Sequence, residues 1–192
     1  RPDDLAAEAV KGLIERTGVD VEDIEDLILG CAFPEAEQGF NMARLVVFLA
    51  GLPISVAGTT INRFCGSSMQ SIHNAAGAIQ MGAGDVYICA GVESMSRVPM
   101  TGFNPMPHPT LSETVPGAYM SMGETAENVG REYQIDRAEQ QDFAVASQQK
   151  AAQAQSEGRL AEEIVPITVN GKVVDADGCL RPETTVDGLS GR

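Results

Sequence analysis

The sequence predicts an α/β fold in which a mainly parallel sheet is covered by helices. Short apolar runs alternate with segments of helical period over residues 1–96, and Gly- or Pro-containing turns separate several of them. Of the 192 residues, 43% are hydrophobic and 21% are charged, which is typical of a packed globular protein. The length allows one domain and part of a second.

Helical period marks the first half of the chain at residues 3–16, 41–50 and 66–81. We expect Asp3 or Asp4 to cap the first helix and Gly18 to end it. The apolar face of this helix is predicted to hold Ala6, Val10, Leu13 and Ile14. The second helix is so apolar that we expect it to be buried on most sides.

Three short apolar runs predict the strands, at residues 27–29, 54–61 and 85–90. The second run is rich in β-branched residues, which favour strands. Because helical segments alternate with these runs, the strands are expected to lie mainly parallel.

The pattern changes after Ser96, so we predict two domains, at residues 1–96 and 97–192. Five prolines and little periodicity predict a functional or mobile loop without regular structure over 97–120. Capping-box patterns then predict helices from Ser121 to about 134 and from Asp136 to about 156. A strand at 164–169 is expected, followed by a hairpin turn at 170–171.

Composition argues against several classes of protein. The net charge of −14 disfavours nucleic acid, and an anionic ligand would need a local basic patch. Four scattered cysteines and two histidines indicate neither a disulfide scaffold nor a zinc site, so no metal is expected. No apolar run approaches the roughly 20 residues of a membrane span, and the first residues do not look like a signal peptide. We therefore expect an aqueous intracellular location.

Cys65 is the candidate nucleophile. A strand is predicted to end near Ile61 and a helix to begin at about Gly66, so the thiol lies beside a helix N-terminus. Free amides and the helix dipole favour a thiolate at such a position, and the same amides could stabilise an oxyanion. Gly66 leaves room for a substrate. The alternative is an inert, packed cysteine, which is how most free cysteines occur.

The remaining cysteines and the histidines have simpler interpretations. Cys31 and Cys89 belong to apolar strands and are expected to be packing residues, whereas Cys179 is expected to be a surface thiol. His73 lies eight residues along the helix from Cys65, which is about 12 Å at the standard rise. His108 lies between two prolines. The sequence therefore predicts that the base serving Cys65 is not in this chain.

Four segments, in order along nearly the whole chain, resemble the thiolase family. Residues 60–70 (TINRFCGSSMQ) resemble the motif around the family's nucleophile, and residues 91–96 (GVESMS) resemble the signature after the next strand. Residues 122–129 (MGETAENV) and 180–185 (LRPETT) resemble parts of the family's loop domain. The match implies a thiolase-like layered fold with a partial, α-rich loop domain.

This resemblance implies an acyltransferase that cleaves 3-ketoacyl-CoA with CoA through an acyl-Cys65 intermediate, as in fatty acid β-oxidation. Coenzyme A would be a substrate, and no cofactor would be bound permanently. Two alternatives stay open: a ketoacyl-synthase-like condensing enzyme, and a catalytically incomplete fragment that acts only by subunit association. The form of residues 65–70 (CGSSMQ) and the segment 181–185 (RPETT) look more like degradative members than biosynthetic acetoacetyl-CoA enzymes.

The resemblance also implies binding residues and partners. Arg181 would lie near the CoA nucleotide, and Ser121 and Met122 would line the pantetheine tunnel, although many family members have histidine at the position of Ser121. A homodimer or homotetramer in the cytoplasm is implied, with a hydratase/dehydrogenase subunit as a further partner. The family's first strand and C-terminal half, with its base and second cysteine, are expected to be absent, so residues 1–192 alone are expected to be inactive.

Overall fold

The computed structural model describes residues 1–190. The chain divides into two compact units, the first from Arg1 to Pro105 and the second from Met106 onward. Val98 is buried in the first unit, and the backbone N–H of Phe103 donates to Glu35 Oε2 at 2.7 Å, so the first unit extends past residue 96. Among residues 1–190, no helix is long and apolar enough to cross a membrane.

The first unit alternates helices and strands, as the sequence predicts. Its elements are α1 (Pro2–Thr17), β1 (Ile24–Gly30), α2 (Met42–Leu49), β2 (Ala57–Ile61), α3 (Ser67–Gln80) and β3 (Val86–Gly91). Short 3₁₀ turns at Val21–Asp23 and Ala36–Gln38 lie before and after β1. This order of elements confirms the predicted α/β fold.

The three strands form a parallel sheet in the order β2-β1-β3. Gly30, the last residue of β1, pairs with Ile61 on one side and with Gly91 on the other. All three strands therefore end at the same edge of the sheet, and the loops that follow them meet there.

Close approach of helices to glycines identifies the two faces of the sheet. A Cβ added at Gly58 would lie 2.5 Å from the backbone nitrogen of Arg44 in α2, and one added at Gly30 would lie 2.5 Å from the carbonyl carbon of Ser67 in α3. Gly58 pairs with Leu27, which faces the opposite side of β1 from Gly30. Helices α2 and α3 therefore cover opposite faces.

At the carboxyl edge of the sheet, the connections that leave the adjacent strands β1 and β2 run to opposite faces. The connection from β1 runs through α2 on one face, and the connection from neighbouring β2 runs through α3 on the other. Open α/β sheets bind ligands in the crevice at such a point. The fold therefore directs attention to the loops after β1 and β2, the second of which contains Cys65.

The hydrophobic core lies mainly between the sheet and the α1–α2 layer. Leu27 and Leu29 of the central strand are fully buried. They pack with apolar residues of α1, α2 and the segments around them, namely Ala6, Ala7, Val10, Met42, Ala43, Val46, Val47, Leu52 and Val56.

Several details of the first unit differ from the prediction. Strand β1 begins at Ile24, three residues before the apolar run, because Glu25 and Asp26 interrupt its apolar pattern. Strand β2 begins only at Ala57. Helix α2 is not buried on most sides, since Phe48 is 52% exposed. Neither predicted aspartate caps α1, because Pro2 occupies its first turn and Asp3 instead bonds to the side chain of Arg1.

The second unit is rich in helix. It contains α4 (Pro109–Thr114), a 3₁₀ helix (Pro116–Tyr119), α5 (Met122–Glu132), α6 (Arg137–Ser156), β4 (Ile167–Val169), β5 (Lys172–Val174) and α7 (Val186–Leu189). Both predicted capping boxes are present, at Ser121 with Glu124 and at Asp136 with Glu139. No described residue of this unit is buried.

Two predictions for the second unit need comment. The loop predicted over 97–120 contains two short helices, because Pro109 and Pro116 occupy first-turn positions, where proline is favoured rather than disruptive. The predicted hairpin is confirmed: β4 and β5 pair antiparallel across Asn170 and Gly171, which have φ angles of 51° and 76°. Positive φ at both turn residues is the geometry that an Asn-Gly pair adopts readily.

Candidate active site

Cys65 lies at the carboxyl edge of the sheet, between β2 and α3, and its side chain is exposed. The N-cap of α3 is Gly66, so the cysteine immediately precedes the helix rather than lying in its first turn. Exposure distinguishes Cys65 from a packing cysteine. The predicted location beside a helix N-terminus is confirmed.

The turn that carries Cys65 is strained. Phe64, the residue before it, has a φ of 46°, in the left-handed region. For a residue other than glycine this conformation costs roughly 1–2 kcal/mol. The ring of Phe64 stands 5.9 Å from that of Phe33, with 53° between the planes, and this contact is one of those that hold the turn.

Hydrogen bonds of the turn use two amides that the sequence suggested for an oxyanion. The N–H of Gly66 donates to the carbonyl oxygen of Arg63 at 3.1 Å, and the N–H of Ser67 donates to that of Phe64 at 3.0 Å. These two donors hold the turn closed. The N–H groups of Gly66 and Ser67 are therefore not among the free amides expected at this helix N-terminus.

The three strand ends are joined by side-chain hydrogen bonds. Asn62, after β2, donates through Nδ2 to the carbonyl oxygen of Ala32, after β1, at 2.9 Å. The N–H of Ala32 in turn donates to Oε2 of Glu93, after β3, at 2.7 Å. The loop that carries Cys65 is thus tied to both neighbouring loops.

Gln38 is a fully buried polar residue that sequence reasoning missed. Its Nε2 donates to the Phe33 carbonyl oxygen at 2.8 Å and to Glu93 Oε1 at 2.7 Å, and its Oε1 accepts from the N–H of Ser94 at 2.6 Å. Both ends of the amide are therefore satisfied. A single glutamine in a loop gives no sequence signal for such a role.

The other cysteines occupy different environments. Burial, and then the charge of Glu93, raise the pKa of the Cys31 thiol to about 11. Burial also raises the pKa of Cys89, which is half-buried. Cys179 is exposed in the second unit, as predicted. Cys31 is fully buried, so it is a packing residue rather than an accessible nucleophile.

The histidines do not supply an evident base for Cys65. His73 is exposed on α3, two turns beyond the thiol. His108 is the N-cap residue of α4 in the second unit, and its backbone N–H donates to Tyr119 Oη at 2.9 Å. Neither histidine has a described hydrogen bond to Cys65. Among residues 1–190, no group of side chains is arranged to hold a metal ion.

The predicted CoA-binding residues all belong to the second unit. Ser121 caps α5, and its hydroxyl accepts from the N–H of Glu124 at 3.2 Å. Met122, which is 65% exposed, lines a groove of about 430 Å³ between α5 and the start of α6. Arg181 is exposed, and its backbone N–H donates to Gln148 Oε1 at 2.8 Å.

A parallel α/β sheet with an exposed cysteine at its carboxyl edge, next to a helix N-terminus, defines a protein suited to thiol nucleophile chemistry. A family model described as thiolase, N-terminal domain, matches residues 1–192. The chain belongs to the thiolase family.

Two similar curated proteins carry the same name. The chain is 48% identical to a 3-ketoacyl-CoA thiolase of Bacillus subtilis (strain 168), over 99% of this chain and 52% of that protein. It is 46% identical to a 3-ketoacyl-CoA thiolase of Pseudoalteromonas translucida (strain TAC 125), over 99% of this chain and 50% of that protein. The chain thus spans about half the length of the curated relatives it matches.

Proposed function

We propose that the complete protein containing this chain transfers acyl groups by cleaving 3-ketoacyl-CoA with CoA. The observation that carries the proposal is the exposed Cys65 beside the α3 N-terminus, in a chain of the thiolase family. The name shared by its relatives supports the substrate class.

In the first half-reaction the Cys65 thiolate would attack the C3 keto carbon of the substrate. The carbonyl electrons move onto oxygen, and the resulting oxyanion needs hydrogen-bond donors such as the backbone N–H of Cys65. When the carbonyl re-forms, the bond between C2 and C3 breaks. The electron pair leaves on C2, which takes a proton and departs as acetyl-CoA, and the shortened acyl group stays on the sulfur.

In the second half-reaction a CoA thiol would lose its proton to a base, and its sulfur would attack the acyl-Cys65 thioester. The shortened acyl-CoA leaves and the Cys65 thiolate is regenerated, which gives ping-pong kinetics. We propose that the base comes from a part of the complete protein outside residues 1–192, because His73 and His108 have no described bond to the thiol.

Residues of the second half of the chain are proposed to hold CoA. Arg181 would pair with phosphate of the nucleotide, and the exposure of this residue supports the role in a chain of net charge −14. Ser121 and Met122 would line the path of the pantetheine arm. In this proposal residues 1–96 supply the nucleophile and residues 97–192 form part of a CoA-covering domain.

We also propose the setting of the reaction. It would serve fatty acid β-oxidation in the cytoplasm, in a homodimer or homotetramer that associates with a hydratase/dehydrogenase subunit. CoA would act only as a substrate, with no permanently bound cofactor. Size measurement by light scattering, alone and with such a subunit, tests the assembly.

Acyl mapping tests the chemistry. The complete protein is incubated with a 3-ketoacyl-CoA and no free CoA, and the adduct is located by mass spectrometry. We expect the shortened acyl group on Cys65, no adduct in Cys65→Ala, and an unchanged adduct in the control Cys179→Ala. An adduct on another residue would overturn the assignment, and acylation only from acyl carrier protein would indicate a ketoacyl-synthase-like enzyme.

A further inference from the structure

The Phe64 peptide groups are held from both sides. Oδ1 of Asn62 accepts from the N–H of Phe64 at 2.8 Å, and the hydroxyl of Ser67 donates to the carbonyl oxygen of Phe64 at 2.6 Å. The same hydroxyl accepts from the N–H of Arg63 at 2.8 Å. Two side chains therefore clamp the one left-handed residue that immediately precedes Cys65.

We infer that Asn62 and Ser67 are positioning residues for Cys65. This inference rests on the proposed function for the nucleophilic role of the cysteine, and it adds two residues that act on the thiol through Phe64. The left-handed backbone at Phe64 sets the direction in which the chain enters Cys65, and therefore where the sulfur stands relative to the N-terminus of α3.

The two residues anchor the turn to different parts of the fold. Ser67 is 4% exposed and is the first residue of α3. Its hydroxyl therefore ties the turn to this helix, whose start lies close against Gly30 of the central strand. Asn62 fixes it to Ala32, and through that residue to Glu93. The thiol is thereby held against both the helix and the adjoining strand ends.

Phe64 needs such support, because the left-handed backbone conformation is unfavourable for phenylalanine unless neighbouring groups stabilise it. If either clamp is lost, the turn is free to relax toward ordinary dihedral angles. The sulfur would then leave its position beside the N-terminus of α3, where the positive end of the helix dipole lies. We therefore expect loss of either clamp to slow the reactions of Cys65 specifically.

The four cysteines of the chain provide a built-in comparison. Cys65 and Cys179 are exposed, Cys89 is half-buried and Cys31 is buried. The complete protein is treated with limiting iodoacetamide, and the alkylation rate of each cysteine is read by mass spectrometry. The ratio of the Cys65 rate to the Cys179 rate reports positioning, whereas alkylation of Cys31 reports unfolding.

Ser71→Ala is the matched control for Ser67→Ala. Ser71 is also buried on α3, and its hydroxyl donates to the carbonyl oxygen of Ser68 at 2.6 Å, three residues back, as that of Ser67 does to Phe64. We expect Ser67→Ala and Asn62→Ala to lower the ratio on the order of tenfold, with Ser71→Ala unchanged. Asn62→Ser, which keeps an oxygen for the Phe64 N–H, should fall between parent and Asn62→Ala.

An unchanged or raised ratio in Asn62→Ala and Ser67→Ala, with Cys31 still protected, overturns the inference. An equal fall in Ser71→Ala also overturns it, because the loss would then follow from any missing hydroxyl on α3. If Ser67→Ala unfolds and exposes Cys31, the exposed Asn62 decides the outcome through its own two variants.

The alkylation experiment is independent of the proposed reaction, because iodoacetamide needs no substrate, base or CoA site. If the parent protein forms no acyl adduct yet shows the expected ratios, the proposed function fails and the positioning stands. If the adduct forms but the ratios do not change, the function stands and the positioning fails.

Discussion

Gln38 and Glu93 are 55 residues apart in sequence, yet Gln38 Nε2 donates a hydrogen bond to Glu93 Oε1 at 2.7 Å. The contact joins the loop after β1 to the loop after β3, on the edge of the sheet that carries Cys65. Because Gln38 is fully buried, no water molecule can replace its hydrogen-bond partner when the contact breaks.

Replacement of this amide tests its structural importance. Gln38→Ala removes the part-buried bonds to the Phe33 carbonyl, the Ser94 N–H and Glu93, and it creates a cavity at a fully buried position. We expect the free energy of unfolding to fall by about 2–4 kcal/mol, measured by urea denaturation. Gln70→Ala, which breaks only a surface bond to Asn74, should stay within about 0.5 kcal/mol of the parent. Equal losses would contradict the assigned role of Gln38.

Gly30 is expected to tolerate no side chain. In Gly30→Ala the new Cβ would lie 2.5 Å from the Ser67 carbonyl carbon and 2.6 Å from the Ser68 nitrogen, so α3 must move. We expect a loss of about 1–3 kcal/mol in unfolding free energy. Gly77→Ala, in the interior of α3 with open space around it, should gain about 0.5–1 kcal/mol. A neutral Gly30→Ala would show that the helix is not pressed against the strand.

The environment of Asp26 predicts that its contribution to the stability of the fold decreases as pH rises. Burial raises its pKa above the ordinary 3.8, partly offset by a hydrogen bond from Thr59, and its Oδ1 is buried without a partner. The folded state therefore binds this proton more tightly than the unfolded state. The resulting stability is fully present below the ordinary pKa and is lost as pH rises through the raised one.

Asp26→Asn should consequently be more stable than the parent at neutral pH, by less than about 1 kcal/mol given its partial exposure, and the gain should vanish in acid. Asp3→Asn should behave oppositely. The hydrogen bond from Arg1 holds the pKa of Asp3 below its usual range, so the loss in that variant appears at neutral pH and disappears as pH falls. Parallel pH profiles for the two variants would refute both assignments.

Residues 1–192 produced alone are expected to show no thiolysis. Cys65 is present, but among residues 1–190 no histidine has a described bond to it, and the chain spans about half of each relative. The measurement is CoA-dependent loss of 3-ketoacyl-CoA, with the complete protein as the positive control. Turnover by the shorter polypeptide would mean that a base among residues 1–192 serves the thiol.

Local signals predicted most of the fold. Helical period located α1 to α3 within one or two residues, and the capping boxes at Ser121 and Asp136 located α5 and α6. Strand limits were less accurate, because Glu25 and Asp26 follow the first residue of β1, and because Ile54 and Val56, just before β2, are apolar although they lie in a turn. Proline was misread at 109 and 116, since the same residue that breaks a helix interior favours its first turn.

Some residues of the candidate site could be predicted from the sequence and others could not. Cys65 could be found because strand end, cysteine and helix start are adjacent in sequence. Gln38 and Asn62 could not, because their partners Glu93 and Ala32 lie 55 and 30 residues away and only the sheet brings them together. The left-handed Phe64 also has no local signal, since its sequence favours another backbone conformation.

The second unit contains no buried residue among those described, and its regular structure is maintained by helix caps and a hairpin turn. Segments with few buried contacts open at a low free-energy cost, and a ligand that binds only the closed form suppresses the opening by mass action. If CoA binds the second unit as proposed, the rate of limited proteolysis between residues 106 and 190 should therefore fall as CoA is added. The resistance of this unit to protease would then measure the fraction of protein that has CoA bound.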